Sequence, residues 1–233
     1  MKINILKILF HNELRPHQVS HFRGAIINAL NQKNILFHNH LDDDHFRYRY
    51  PLIQYKIING RAAIVCMGEG TEAIGEFFAS AHFDVNIGNH CETLQLSRVE
   101  PRQFNIQVWE QKFHYRLRRW LSLNGENFPK YKQLTSLAEQ CLMLEGILRG
   151  NILSMGKGLG ITFDRQVECR ITRLHDPYLV TVKGVKMQAF DIDFCANVSL
   201  PPHIGLGKHA SINSGIVTPM RDTILDDNNN QPQ

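Results

Sequence analysis

Apolar residues cluster densely from Lys2 to Phe10 in a short isoleucine- and leucine-rich run, the pattern of a β-strand. Pro16 then suits the first turn of a helix, where its missing N–H costs nothing. Val19, Phe22, Ile26, Ala29 and Leu30 recur at helical spacing and predict one apolar face, with Arg23 at its edge. Residues 51–58 return to an extended pattern. Asn59-Gly60 reads as a two-residue type I′ turn, and Ala62 to Met67 as the partner strand of a hairpin. Gly68 and Gly70 lead into a second helix over 71–80, and an extended segment over 92–99 closes the series. The order β-α-β-β-α-β is that of a ferredoxin-like unit.

The second half repeats this plan more loosely. Residues 104–123 are extended in character. Leu134, Leu137, Cys141, Leu144 and Leu148 form a helical stripe, with Ser136 and Glu139 spaced as a capping box. Residues 168–173 and 178–183 are strand candidates, Lys183 to Lys186 a tight turn, 188–198 a long strand and 214–218 a last edge strand. The fold class expected is α+β, with two tandem ferredoxin-like (RRM-like) domains and antiparallel sheets. The boundary is placed around Pro101, giving domains over 1–100 and 101–221. Residues 222–233 are polar and expected to be a disordered tail.

Composition narrows the function classes. A hydrophobic share of 43% with 21% charged residues is that of a soluble globular chain. The formal charge of +4 is compatible with a nucleic-acid partner without establishing one. The five cysteines are widely spaced and form no C-x-x-C pair, which argues against a disulfide framework or a structural zinc site. Lys7 interrupts the first apolar run, so a signal peptide is disfavoured and a cytoplasmic location is expected.

Chemistry concentrates between Phe37 and Lys56. His38 and His40 are one residue apart, so on an extended backbone both imidazoles face the same side and can serve one phosphate. Histidine gives and takes protons near neutrality, as general acid-base work requires. Two other readings stay open: a polar loop whose histidines meet water, and a metal site completed by Asp42, Asp43, Asp44 and His45. In the following strand Arg49 lies among Tyr48, Tyr50 and Tyr55, a mixture suited to stacking bases and holding phosphates. Arg116, Arg118 and Arg119 form the densest positive run of the chain, set among Phe113, Tyr115 and Trp120, and are expected to contact nucleic acid. Gly205 and Gly207, beside Lys208 and His209, offer backbone N–H groups to a sugar-phosphate backbone. Gly156 to Gly160 ends a helix and lacks the spacing of a Walker loop.

Together these blocks resemble the CRISPR-associated repeat endoribonucleases, in the repeat-associated mysterious protein superfamily, and closest to the subtype with paired histidines. The resemblance rests on Phe22-Arg23-Gly24, Leu36-Phe37-His38-Asn39-His40, Tyr48 through Lys56, Gly68-Glu69-Gly70 and Ile204-Gly205-Leu206-Gly207-Lys208. Ser211 to Gly215 departs from the family's second glycine-rich, aromatic turn. The resemblance implies metal-independent cleavage of precursor CRISPR RNA within repeats, by attack of a 2′-OH and without a cofactor. His38 and His40 would be base and acid in unassigned order, with Lys56 or Tyr48 stabilising the phosphorane. Arg23 and the Gly205–Lys208 loop would hold RNA. The expected partner is CRISPR repeat RNA, with a CRISPR effector complex as a second candidate, and the protein is compatible with a monomer or homodimer. The rival readings are a non-catalytic RNA-binding subunit of the same superfamily and a metal-dependent phosphodiesterase.

Overall fold

The computed structural model describes residues 1–29, 50–80 and 83–220. Its first half comprises β1 (Lys2–Glu13), α1 (Val19–Asn28), β2 (Ile53–Ile58), β3 (Arg61–Met67), α2 (Gly70–Ser80), β4 (Asp84–Ile87), β5 (His90–Thr93) and β6 (Leu96–Asn105). Four of these strands form an antiparallel sheet in the order β2-β3-β1-β6. Asn59 and Gly60 both take positive φ, as a type I′ turn demands, and they close the β2–β3 hairpin. Pro16 opens a single 3-10 turn that leads into α1.

The second half comprises β7 (Val108–Trp120), α3 (Asn127–Gln133), α4 (Leu137–Gly158), β8 (Cys169–Leu174), β9 (Tyr178–Val182), β10 (Val185–Val198) and β11 (Ile216–Pro219). Its sheet runs β11-β7-β10-β8, with β9 hairpinned onto the first part of β10. Numbering the four strands of each sheet in chain order gives the same arrangement twice, so both halves are ferredoxin-like. Leu144, Leu148, Ile152 and Met155 give α4 its buried stripe against Leu117, Phe190 and Phe194. Ser136 caps this helix by accepting the N–H of Ala138 at 3.2 Å, whereas the capping-box pattern calls for the N–H of Glu139.

Several expectations need correction. A small hairpin, β4–β5, stands apart from the main sheet where one extended segment over 92–99 is expected. Around Pro101 the backbone is continuous strand: β6 runs through it, and Glu100 pairs with Lys7 in register and through a 2.8 Å ion pair. The strand pairing changes sheets only at Ile106 and Gln107. Nor does each half keep a core to itself. Ile3, Ile5, Leu52 and Met67 join the α4 core, while Leu121, Val180, Val182 and Ile212 join Phe10, Phe22 and Tyr55 in the other. No described helix is long and apolar enough to cross a membrane.

The second crossover of the C-terminal half is the feature that positions the candidate site. Where the N-terminal half uses α2, residues 199–215 form an irregular loop between β10 and β11.

Candidate functional site

Pro201 to Gly215 folds back on β2 and covers that edge of the N-terminal sheet. The Tyr55 N–H donates to Ser211 O at 2.7 Å, and Tyr55 and Ile212 form a parallel bridge. Asn213 Oδ1 accepts the N–H of Ile57 at 3.0 Å. The two polar side chains of the strand complete the seam. Gln54 and Lys56 are both 0% exposed. Gln54 Oε1 accepts the Gly205 N–H at 2.8 Å, and Lys56 Nζ donates to Ala210 O at 2.7 Å. Burial without a carboxylate pulls the Lys56 amine down to about 7.

This geometry gives both glycines a packing reason. A side chain at Gly205 would meet Ala210 O and Lys56 Nζ at 2.7 Å and Ser214 O at 2.8 Å. The Gly205 N–H faces Gln54, not a ligand. Gly207 has φ +83° and lies where a Cβ would come within 2.7 Å of Trp120 Nε1. Both therefore serve close packing of the loop. Lys56 likewise holds the loop from inside and does not face solvent, so a direct role at a phosphorane is not its place in this arrangement. The residues that depart from the resemblance, Ser211 and Asn213, are the ones that dock on β2.

Other sequence-predicted residues divide by environment. Lys208 is exposed and His209 half-buried at the outer end of the loop. Burial, followed by the charges of Lys183 and Lys208, holds the His209 imidazole below its ordinary value. Arg118 is exposed, while Arg119 has φ 52° and gives its backbone N–H to Asp191 Oδ1 at 2.8 Å. Arg116 is already paired within the protein. It is forked onto Asp193 at 2.6 and 2.9 Å, and that guanidinium holds the carboxyl below the usual carboxylate range. Arg23 lies half-buried on α1, and its charge acts on Tyr55. His38, His40, Tyr48 and Arg49, with the metal alternative of Asp42, Asp43, Asp44 and His45, lie outside the described residues, as does the tail from 222. Sequence reading gives no role to the side chains of Gln54 or Asn213, and the only trace of the first is a polar residue set between Ile53 and Tyr55.

The loop, its anchoring strand and the doubled strand order set the frame for comparison with known proteins. The Cas6b N-terminal domain matches residues 1–105, and the Cas6b C-terminal domain matches residues 107–220. The chain belongs to the Cas6b family. A crystal structure of Cas6b superposes with a TM-score of 0.86 at 26% identity, covering 94% of this chain and 100% of that one. A second Cas6b, described as a CRISPR RNA processing endoribonuclease, shares the fold at TM-score 0.73 and 23% identity over 94% of this chain and all of its own. An uncharacterized protein of Methanocaldococcus jannaschii is 36% identical over 121 residues, which is 52% of this chain and 80% of that protein. The junction between the two Cas6b domains falls at the residue where β6 ends and the pairing changes sheets.

Proposed function

We propose that this Cas6b protein is a metal-independent endoribonuclease that cuts precursor CRISPR RNA within its repeats. The observation that carries the reading is the pairing of His38-Asn39-His40 with a Cas6b match over nearly the whole described chain. The 2′-oxygen upstream of the cut attacks phosphorus, and the P–O5′ bond breaks. One imidazole takes the 2′-OH proton while the other, protonated, gives its proton to the departing 5′-oxygen. The products are a 2′,3′-cyclic phosphate and a 5′-OH. Arg23, Arg49, Arg118, Lys208 and His209 hold the RNA, and Tyr48 is the remaining candidate for charge stabilisation at phosphorus. Lys56, Gly205 and Gly207 contribute by fixing the loop that carries Lys208 and His209.

The test is cleavage of a repeat RNA in excess EDTA by wild type and His40→Ala, with analysis of product ends. Wild type is expected to cut to cyclic-phosphate ends, and the variant to lose about 10²–10⁴ in rate. A 2′-deoxy sugar at the cut should stop the reaction. Cleavage that EDTA abolishes and a divalent metal restores would defeat the histidine mechanism. Tight binding with no cleavage under either condition would make the protein an RNA-holding subunit.

A further inference from the structure

On the helical side of the C-terminal half, the last turns of α4 and the chain that follows enclose a depression of about 500 Å³. Arg149, Leu153 and Lys157 line one wall, spaced four residues apart on a single helix face. Ile161, Phe163 and Arg165 line the other. Its cations are three, and none of the residues lining it is a carboxylate. Arg165 gives Nη2–H to Val108 O at 3.1 Å and lies 3.9 Å from Glu110, whose carboxylate is 94% exposed. Arg149 holds a buried Nε with no hydrogen-bond partner among the described residues. Its guanidinium acts on the Cys169 thiol both as a charge and as a side-chain hydrogen-bond partner, a weak one because sulfur is a poor acceptor.

A cation in the last helical turn is normal, because it complements the helix dipole. Lys157 needs no further reason. That account does not reach Arg149, two turns earlier, or Arg165, which comes from beyond the helix. Cations around an apolar, partly aromatic floor fit an anion that carries a flat apolar body, which describes a nucleotide. Gly158, next to Lys157, is packed directly on Tyr50, which ties this end of α4 to the N-terminal half.

The geometry points to this pocket as a second RNA subsite of the protein, one that takes an unpaired nucleotide of the repeat away from the cleaved linkage. The base lies on Phe163 and Leu153, and the flanking phosphates meet Arg149, Lys157 and Arg165. This inference rests on the RNA-processing reading given above.

It is tested with a labelled repeat RNA made uncleavable by a 2′-deoxy sugar at the cut. The double variant Arg149→Gln/Lys157→Gln is expected to bind about tenfold more weakly than wild type near 0.15 M salt. The slope of log K against log salt should fall by about 1.4, from two lost single-strand contacts. Thermal melting checks that the variant folds. If it does not, Lys157→Glu at an exposed position replaces it, with the same expected loss of affinity. A scan of abasic substitutions along the repeat should find one position that weakens wild-type binding about tenfold and has no effect in Phe163→Leu. Wild-type affinity and salt slope in a folded variant would overturn the subsite, as would an abasic profile that Phe163→Leu leaves unchanged. Cleavage by wild type in EDTA is scored separately. Its failure would strike the nuclease reading and leave the binding difference to decide the pocket.

Discussion

The two halves share one strand order and differ in their second crossover. In the N-terminal half α2 closes the unit with local hydrogen bonds, and Gly75 within it has open space around its Cα. In the C-terminal half residues 199–215 replace that helix with a loop whose partners lie on β2. A helix can be exchanged residue by residue because each turn satisfies its own backbone. The loop cannot, because its N–H and C=O groups are satisfied by one particular strand edge. Conserving strand order thus leaves a crossover free to become an interface.

The contrast is broken most directly at glycine. Gly205→Val puts branched carbons against backbone oxygens and the Lys56 amine, and should cost about 3 kcal/mol in urea unfolding. A variant as stable as wild type would mean that the loop is not locked on β2. Next in size is the pH response of Lys56. Its folded pKa is lowered to about 7, so between there and the unfolded value near 10.4 the unfolded chain binds more protons. Stability from this group therefore rises with pH across that window, and the burial penalty is fully present below about 7. Measured as wild type minus Lys56→Met, the gain between pH 6.5 and 9.5 should approach about 3 kcal/mol, and a flat difference would refute it. Gly75→Ala in α2 is the counterpart and should stabilise by about 0.5–1 kcal/mol in the same assay. Smallest in stability is Lys208→Gln, within about 0.5 kcal/mol of wild type. If the outer end of the loop holds RNA, that variant still binds repeat RNA about fivefold more weakly at moderate salt.

What the sequence revealed was whatever local chemistry decides. The Asn59-Gly60 turn was legible because its residues favour positive φ, and α4 because Leu144 and Leu148 of the expected stripe recur at helical period and are buried, although Leu137 of that stripe is exposed and the stripe continues to Ile152 and Met155. The β4–β5 hairpin was harder to read, since its strands have four residues each and only β4 alternates, with Val85 and Ile87 buried and Asp84 and Asn86 exposed. Lys56 was given another place, and Gln54 none, for a deeper reason. Whether a polar residue in a strand meets water depends on what covers that face, and the cover lies 151 and 154 residues away. The same distance hid the purpose of Gly205, which looked like a phosphate-binding glycine and serves a packing contact. Arg116 showed its charge but not its partner, because Asp193 reaches it only through the register of β7 and β10.

The seam on β2 also bears on how the protein is made. During synthesis β1, β2 and β3 leave the ribosome long before residues 205–213, so the N-terminal sheet waits with one edge uncovered. A bare strand edge is a template for pairing with another chain, and late contacts between distant segments slow folding. Nascent chains that stall or terminate before Gly205 would therefore be sticky fragments, drawn to one another or to chaperones. The final stretch of translation is what makes the first half safe.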